Sequence, residues 1–366
     1  MLVYLFPLFI TLFATVRYDI NGHKDGGRII CWNGLFLYLV LLLGLRFEVG
    51  GDTLNYMMFY ESQSDLSQWT FSFGGTFQPL YSFLCSITKT VSSDFYVFQF
   101  LHAILLNSLL FYFISRNTQH RFLCLFVIFM TFYLYFSTEI LRESLAVLIF
   151  AINFENLRKG NWLRYYVGVT ICVLFHLSAL ILTILPFFRW IKLNSIFPVL
   201  LLVFVLMFRL DMLHSWLDGF ELMAKVSSYT DMENGGYLYT AINLLSYLFL
   251  PLSICGISRR LLHKEQRFEN MLCLMSISSL CAIFSFVIFG RFVNYFLPFL
   301  AVSITDVFYD MIRSRKVRQL GVVLIMFFLV LFGYQFVYLK RYTLWIPYSS
   351  VIYPEHVRRY FYDYTN

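Results

Sequence analysis

An all-α, polytopic membrane protein is the fold class this sequence predicts, and three observations predict it. Of 366 residues, 59% are hydrophobic and only 13% are charged, against roughly a quarter charged in an ordinary soluble domain. Mean hydropathy is +0.69, which excludes disorder and a small disulfide-stapled secreted domain. The apolar residues lie in long runs, the pattern of helices and not of barrel strands.

The runs place spans near 1–16, 29–45, 95–114, 121–137, 140–157, 162–176, 178–190, 196–208, 237–257, 271–289, 292–311 and 320–339, so about twelve, several of them shorter than the ~20 residues that cross a bilayer comfortably. The first run (MLVYLFPLFITLFATV) has no basic leader and no small-x-small cleavage site, and reads as a membrane span. Residues 78–91 are apolar but short, and Pro79 suits a first helical turn; a re-entrant or interfacial helix is expected there.

Charge arbitrates the topology. With the N-terminus outside, the inner links 17–28, 115–121, 158–164, 189–195, 258–270 and 312–319 hold 18 of the 28 Lys and Arg, as the positive-inside rule requires. Fusing 162–176 with 178–190 would turn the basic links 258–270 and 312–319 outward. The break is therefore expected at Phe175-His176-Leu177-Ser178, with His176 at the outer end of a tight hairpin. The outer segments are loops 46–77 and 209–236 and a tail 340–366; the tail's Lys340, Arg341, Arg358 and Arg359 run against the rule. The chain reads as one membrane domain without repeats. The net charge of +7 belongs to these links, so membrane lipid is the expected partner and nucleic acid is not. Seven cysteines without a CxxC pair point to packing, with neither a zinc site nor a disulfide framework.

Charges at membrane depth are costly, so each is a functional candidate. Where the second run exits stand Arg46, Glu48, Gly50, Gly51, Asp52 and Tyr56; an arginine beside a glycine turn receives an anionic oxygen, or Asp52 caps a loop helix. Glu139, Arg142 and Glu143 open the fifth span; Glu139 is three residues before Arg142, the spacing of a helical ion pair, which either snorkels at the interface or holds the arginine toward a cavity. His176 stands among apolar residues with Ser178 following. Arg291 lies in a link too tight to need it, with Asn294 one turn on. The loop 209–236 brings Arg209, His214, Lys225 and an Asn234-Gly235-Gly236 turn, and either caps a cavity or is simply solvated. Three arginines and a histidine at one depth suit a diphosphate at the interface, because guanidinium binds phosphate oxygens in bidentate fashion. A histidine of ordinary pKa near 6.5 is a base for an attacking hydroxyl. No DxD-like pair or metal-spaced cluster is seen, so the expected chemistry needs no metal or other cofactor.

The ordered motifs Arg46-x-x-x-Gly50-x-Asp52-x-x-x-Tyr56, Gln78-Pro79-Leu80, Arg142-x-x-x-Ala146 and Phe175-His176-x-Ser178-Ala179 resemble the EpsG/Wzy family of polysaccharide polymerases, with Gln78 standing where Glu is common; the likeness extends loosely to Arg291 and Tyr348. The resemblance implies an inner-membrane enzyme, similar in fold to multispan lipid-linked glycosyltransferases. Such an enzyme joins undecaprenyl-diphosphate-linked oligosaccharide units, donor and acceptor, on the periplasmic or outer face, in O-antigen, capsule or exopolysaccharide synthesis, in some systems beside a chain-length regulator. On that reading Arg46, Arg142 and Arg291 hold diphosphate, His176 and Asp52 are the catalytic candidates, and Glu139, Glu143, Asn294 and Tyr56 support them. A membrane O-acyltransferase of surface glycan and a flippase or exporter of lipid-linked oligosaccharide are the alternatives.

Overall fold

The computed structural model describes residues 2–73, 77–188, 237–284, 288–314, 317–338 and 342–356. They are helical throughout, with only two isolated β-bridges among them, Arg46 with Ser350 and Ser350 with Tyr353. They fall into two compact units, Met1–Thr183 with Phe332–Asn366, and Ile184–Leu331.

In the first unit, α1 (Leu2–Ala14) continues as a π-turn over Thr15–Ile20, and α2 (Gly26–Gly44) returns beside it. Pro7 lies inside α1 and has no N–H for the Val3 carbonyl. The Tyr38 hydroxyl of α2 donates to Val3 O instead, at 2.7 Å, so the proline leaves no bare carbonyl in an apolar setting. A loop helix, α3 (Thr53–Ser62), leads through a 3₁₀ turn to α4 (Pro79–Val91), where proline occupies the first turn. Then come α5 (Phe95–Asn117), α6 (Arg121–Thr131), α7 (Tyr133–Thr138), α8 (Leu141–Lys159) and α9 (Trp162–Phe175). A 3₁₀ segment, Leu177–Ile184, and the single turn α10 (Leu185–Phe188) follow.

Glycine sets two close helix crossings. A Cβ on Gly44 would run into the Phe100 ring of α5, and one on Gly168 of α9 into the Asn153 amide of α8. Asn153 in turn donates to Tyr165 O at 2.8 Å and Tyr165 to Leu182 O at 2.6 Å, which locks the α8–α9 hairpin to the 3₁₀ segment.

The end of α2 shows complete accounting of buried carbonyls. Leu41 O accepts from Leu45 N, Leu42 O from the Tyr348 hydroxyl and Leu43 O from Arg46 Nη1. Gly44 O and Arg46 O both accept from Gln99 Nε2, and Leu45 O from Val351 N. The chain's return over 344–351 is thus part of how α2 ends.

The second unit holds α11 (Tyr237–Leu244), a π-turn Leu245–Phe249, α12 (Leu250–Arg260), α13 (Glu269–Phe284), α14 (Ile288–Arg313) and the start of α15 (Arg318–Tyr338); the short α16 (Tyr342–Trp345) belongs to the first. Ser276 Oγ of α13 donates to Leu248 O at 3.3 Å, and Arg259 pairs with Glu269 at 2.7 Å.

The chain is a helical membrane protein by length and composition: Leu2–Ile20, Gly26–Gly44, Phe95–Asn117, Ala241–Arg260 and Phe289–Arg313 are long and apolar enough to cross a bilayer. That is five among the described residues, where the sequence carries the expectation of about twelve over the whole chain. Five further apolar helices have 10–17 residues. The expected span 121–137 is two helices, because Phe132 leaves helical geometry (φ −136°, ψ −5°). The expected span 196–208 and the loop 209–236 lie outside the described residues.

Candidate functional site

The site-bearing residues of the first unit come from five pieces of chain: the 45–52 loop, α3, the start of α4, the α7–α8 junction and the end of α9. The loop is shaped by Gly50, whose φ of +111° admits glycine and little else. A Cβ there would lie 2.8 Å from Thr138 Cβ and 3.2 Å from Glu139 Oε1. The α7–α8 junction therefore presses directly on the turn.

Glu139 is the hub of that contact. Its Oε2 accepts from Asp52 N at 3.2 Å, and the Gly51 N–H also points to this carboxylate. Its Oε1 accepts from Thr138 Oγ1 at 2.9 Å and from Trp345 Nε1 at 3.2 Å. Its backbone carbonyl accepts from the Tyr56 hydroxyl at 3.3 Å. Burial raises the Glu139 carboxyl above the ordinary range, and the hydrogen bonds from Thr138 and the turn pull the other way.

The Glu139–Arg142 ion pair suggested by their spacing does not form. Glu139 ends α7 and Ile140 caps α8, so the two residues do not share a helix and the three-residue rule does not apply. Arg142 Nη1 instead donates to Gln78 Oε1, the cap of α4, at 2.9 Å. The guanidinium lies 3.7 Å from the centre of the Phe77 ring, a cation–π contact. Its Nε is buried and makes no hydrogen bond among the described residues. The Tyr56 hydroxyl also sits against Arg142, and burial pushes it up to about 12. Arg142 is thus fixed by a neutral amide, an aromatic face and a phenol, and among the described residues no carboxylate pairs with it.

Arg46 is 2% exposed. Its Nη1 and Nε donate to Leu43 O (2.7 Å) and Val49 O (3.2 Å), and Nη2 has no hydrogen-bond partner among the described residues. Burial lowers its pKa to about 10, so it stays charged at neutral pH. Its visible work is to close the loop it begins. Asp52 Oδ1 accepts from Asn55 Nδ2 at 3.3 Å; it occupies the cap position of α3 without a side-chain capping bond.

His176 stands at the break, directly after α9 ends at Phe175 and before the 3₁₀ segment begins. Its Nδ1 is 2.6 Å from Ser178 Oγ, and its Nε2 is 3.9 Å from Glu143 Oε2. Both side chains are buried, Glu143 to 2% and His176 to 8% exposure. The α8–α9 crossing at Gly168 brings the two helices close enough for this pairing. Glu143 follows Arg142 directly, so one turn of α8 presents a cation and the carboxylate that faces the histidine.

The first unit therefore gathers Arg46, Asp52, Tyr56, Glu139, Arg142, Glu143 and His176. Arg291, exposed, and Asn294, buried, belong to α14 in the second unit. Arg209, His214, Lys225, Lys340, Arg341, Arg358 and Arg359 lie outside the described residues. Sequence reasoning gave no role to Phe77, Thr138 or Trp345. A Pro79 signal pointed at the Gln78 cap, but nothing local links Trp345 to residues two hundred positions earlier.

A family model for the EpsG family matches residues 29–350. The chain belongs to the EpsG family. No curated protein and no solved structure matches it. The match spans the seven residues gathered in the first unit and Arg291, and membership in this family supports a function of the polysaccharide-polymerase, glycosyltransferase-like type.

Proposed function

We propose that this EpsG-family protein is a polysaccharide polymerase of the bacterial inner membrane, joining undecaprenyl-diphosphate-linked oligosaccharide units at the periplasmic or outer face. The family match over 29–350 carries the reading; the geometry around Arg142 and His176 supports it. The proposed topology is the single membrane domain of about twelve spans with α4 re-entrant or interfacial, which puts the 45–52 loop, Arg142 and His176 on one side by the positive-inside count.

In the proposed transfer, an acceptor hydroxyl attacks the anomeric carbon of the donor. A C–O bond forms, the bond from that carbon to the diphosphate oxygen breaks, and undecaprenyl diphosphate leaves. Arg142 meets the leaving diphosphate. Its partner Gln78 is neutral, and no carboxylate among the described residues competes with an incoming anion. Arg291 is proposed as a second contact, with Asn294 supporting it. Arg46, nearly inaccessible, lends charge from behind the loop. His176 Nε2 takes the hydroxyl proton, and Glu143 then faces an imidazolium. Ser178 on Nδ1 sets the ring. Asp52 is proposed to orient His176, or to serve as base in its place. Guanidinium supplies the countercharge, so the transfer is proposed to need no metal.

Deletion of the gene tests this directly. A single repeat unit on its carrier or on lipid A in place of a ladder supports polymerisation, and Arg142→Ala and His176→Ala should reproduce it at normal expression. An unchanged ladder of altered mobility or acetyl content would support acyl transfer instead. Units accumulating on the inner leaflet would support a flippase. Either result refutes the polymerase reading.

A further inference from the structure

We infer that Trp345 is a positioning residue for the proposed transfer, acting through Glu139 on the Gly50–Asp52 turn; the inference rests on the polymerase reading. Trp345 is 5% exposed. Its indole N–H reaches Thr138 Oγ1 at 2.8 Å and Glu139 Oε1 at 3.2 Å. The Thr138 hydroxyl, which accepts from the indole, is itself 2.9 Å from the same carboxylate oxygen. The opposite oxygen receives the Asp52 N–H. An indole on one side of the carboxylate and a backbone turn on the other form one line, and rotating the carboxylate moves both ends.

The surrounding chain holds this line in register. Leu344 O accepts from Gly50 N at 3.0 Å, Ser349 O from Phe47 N at 2.9 Å, and Trp345 O from the Tyr4 hydroxyl at 2.9 Å. The 344–351 return is clipped to the loop at both ends, with Trp345 as its one side-chain link to Glu139 among these contacts. Glu139 then connects two parts of the proposed chemistry. Its carboxylate fixes the backbone of Asp52, and its carbonyl anchors Tyr56, which lies on Arg142. Trp345 touches no proposed substrate and influences the site only by orienting that carboxylate. A hydrogen bond to a charged acceptor is worth roughly tenfold or more in an equilibrium, so losing it loosens the turn measurably.

The test uses the full chain purified into liposomes, with a lipid-diphosphate oligosaccharide as the probe substrate. Trp345→Phe keeps the ring and removes the N–H. The expected result is a kcat lowered about tenfold at an unchanged KM for donor, and faster amide exchange at Gly50–Asp52. In a Glu139→Gln background, Trp345→Phe should cost nothing further, because the path it acts through is already broken. Wild-type turnover by Trp345→Phe would overturn the inference, as would unchanged exchange at the turn or losses that multiply in the double variant. Failure of the wild-type protein to polymerise would overturn the reading beneath it. The exchange measurement, which needs no activity, tells the two failures apart.

Discussion

Replacing Gly50 with alanine perturbs the site at its tightest point. Two contributions add. A non-glycine residue at φ +111° carries about 1–3 kcal/mol of backbone strain. The new Cβ would also stand 2.8 Å from Thr138 Cβ, well inside normal carbon contact. Thr138 has little freedom to withdraw: its hydroxyl lies 2.8 Å from Leu134 O and 2.9 Å from Glu139 Oε1, two acceptors for its one proton, and accepts from Trp345 Nε1 at 2.8 Å. Relieving the clash sacrifices at least one of these bonds or shifts the turn, at about 1–3 kcal/mol. Together the cost is roughly 2–6 kcal/mol, or about one and a half to four orders of magnitude in the opening of the 45–52 loop. Amide exchange at Phe47, Gly50 and Asp52 reads that opening, and the glycan ladder reads its consequence. Gly22→Ala is the control: its φ is +73° but a Cβ there meets nothing within 4 Å, so only the backbone contribution applies. If Gly50→Ala exchanged no faster than Gly22→Ala and left the ladder intact, the claim that the α7–α8 junction presses on this turn would be wrong.

Other perturbations have equally defined outcomes. Glu139→Gln places an amide NH₂ against N–H donors on one side or the other, since both carboxylate oxygens accept; a loss of about 1–3 kcal/mol in thermal or denaturant stability is expected. Arg142→Lys keeps the charge but loses the planar stack on Phe77 and the fork, so the ladder should shorten toward single units; full-length ladders would remove Arg142 from diphosphate recognition. Glu143→Gln leaves the shape of the His176 pocket and removes its charge; kcat should fall while donor KM holds, in single-turnover measurements. Gly168→Ala should destabilise the α8–α9 hairpin by about 1–3 kcal/mol, and Asn153→Ala should restore much of it, because the clash is with that amide.

How much of this was legible in the sequence depends on range. The break at His176 was readable because charge counting on distant links forbids one continuous helix, and α9 does end at Phe175. Gly50 was readable as a turn because few residue types tolerate its geometry. The Glu139–Arg142 pair was misread because spacing alone does not say where α8 begins. The partner Arg142 takes, Gln78, is 64 positions away, and Trp345 meets Glu139 across 206. No local pattern encodes such pairings; they follow from how helices cross. The count of spans was harder for a related reason. Hydropathy marks an apolar run but not the turn at Phe132 that divides one, nor the burial that allows a short helix inside a membrane protein.

The clip between the 45–52 loop and the 344–351 return also bears on the order in which the molecule is made. Tyr348 and Leu42 are 306 residues apart, and synthesis at ~5–20 residues per second separates their appearance by tens of seconds. Throughout that interval the end of α2 carries carbonyls whose partners do not yet exist, and the glycine turn lacks the indole that stands behind Glu139. The early helices can insert, but the site cannot take its final shape until the last described helix arrives. A chain interrupted late in translation would therefore be a membrane-inserted but inactive product, and one whose exposed 45–52 loop marks it for proteolysis.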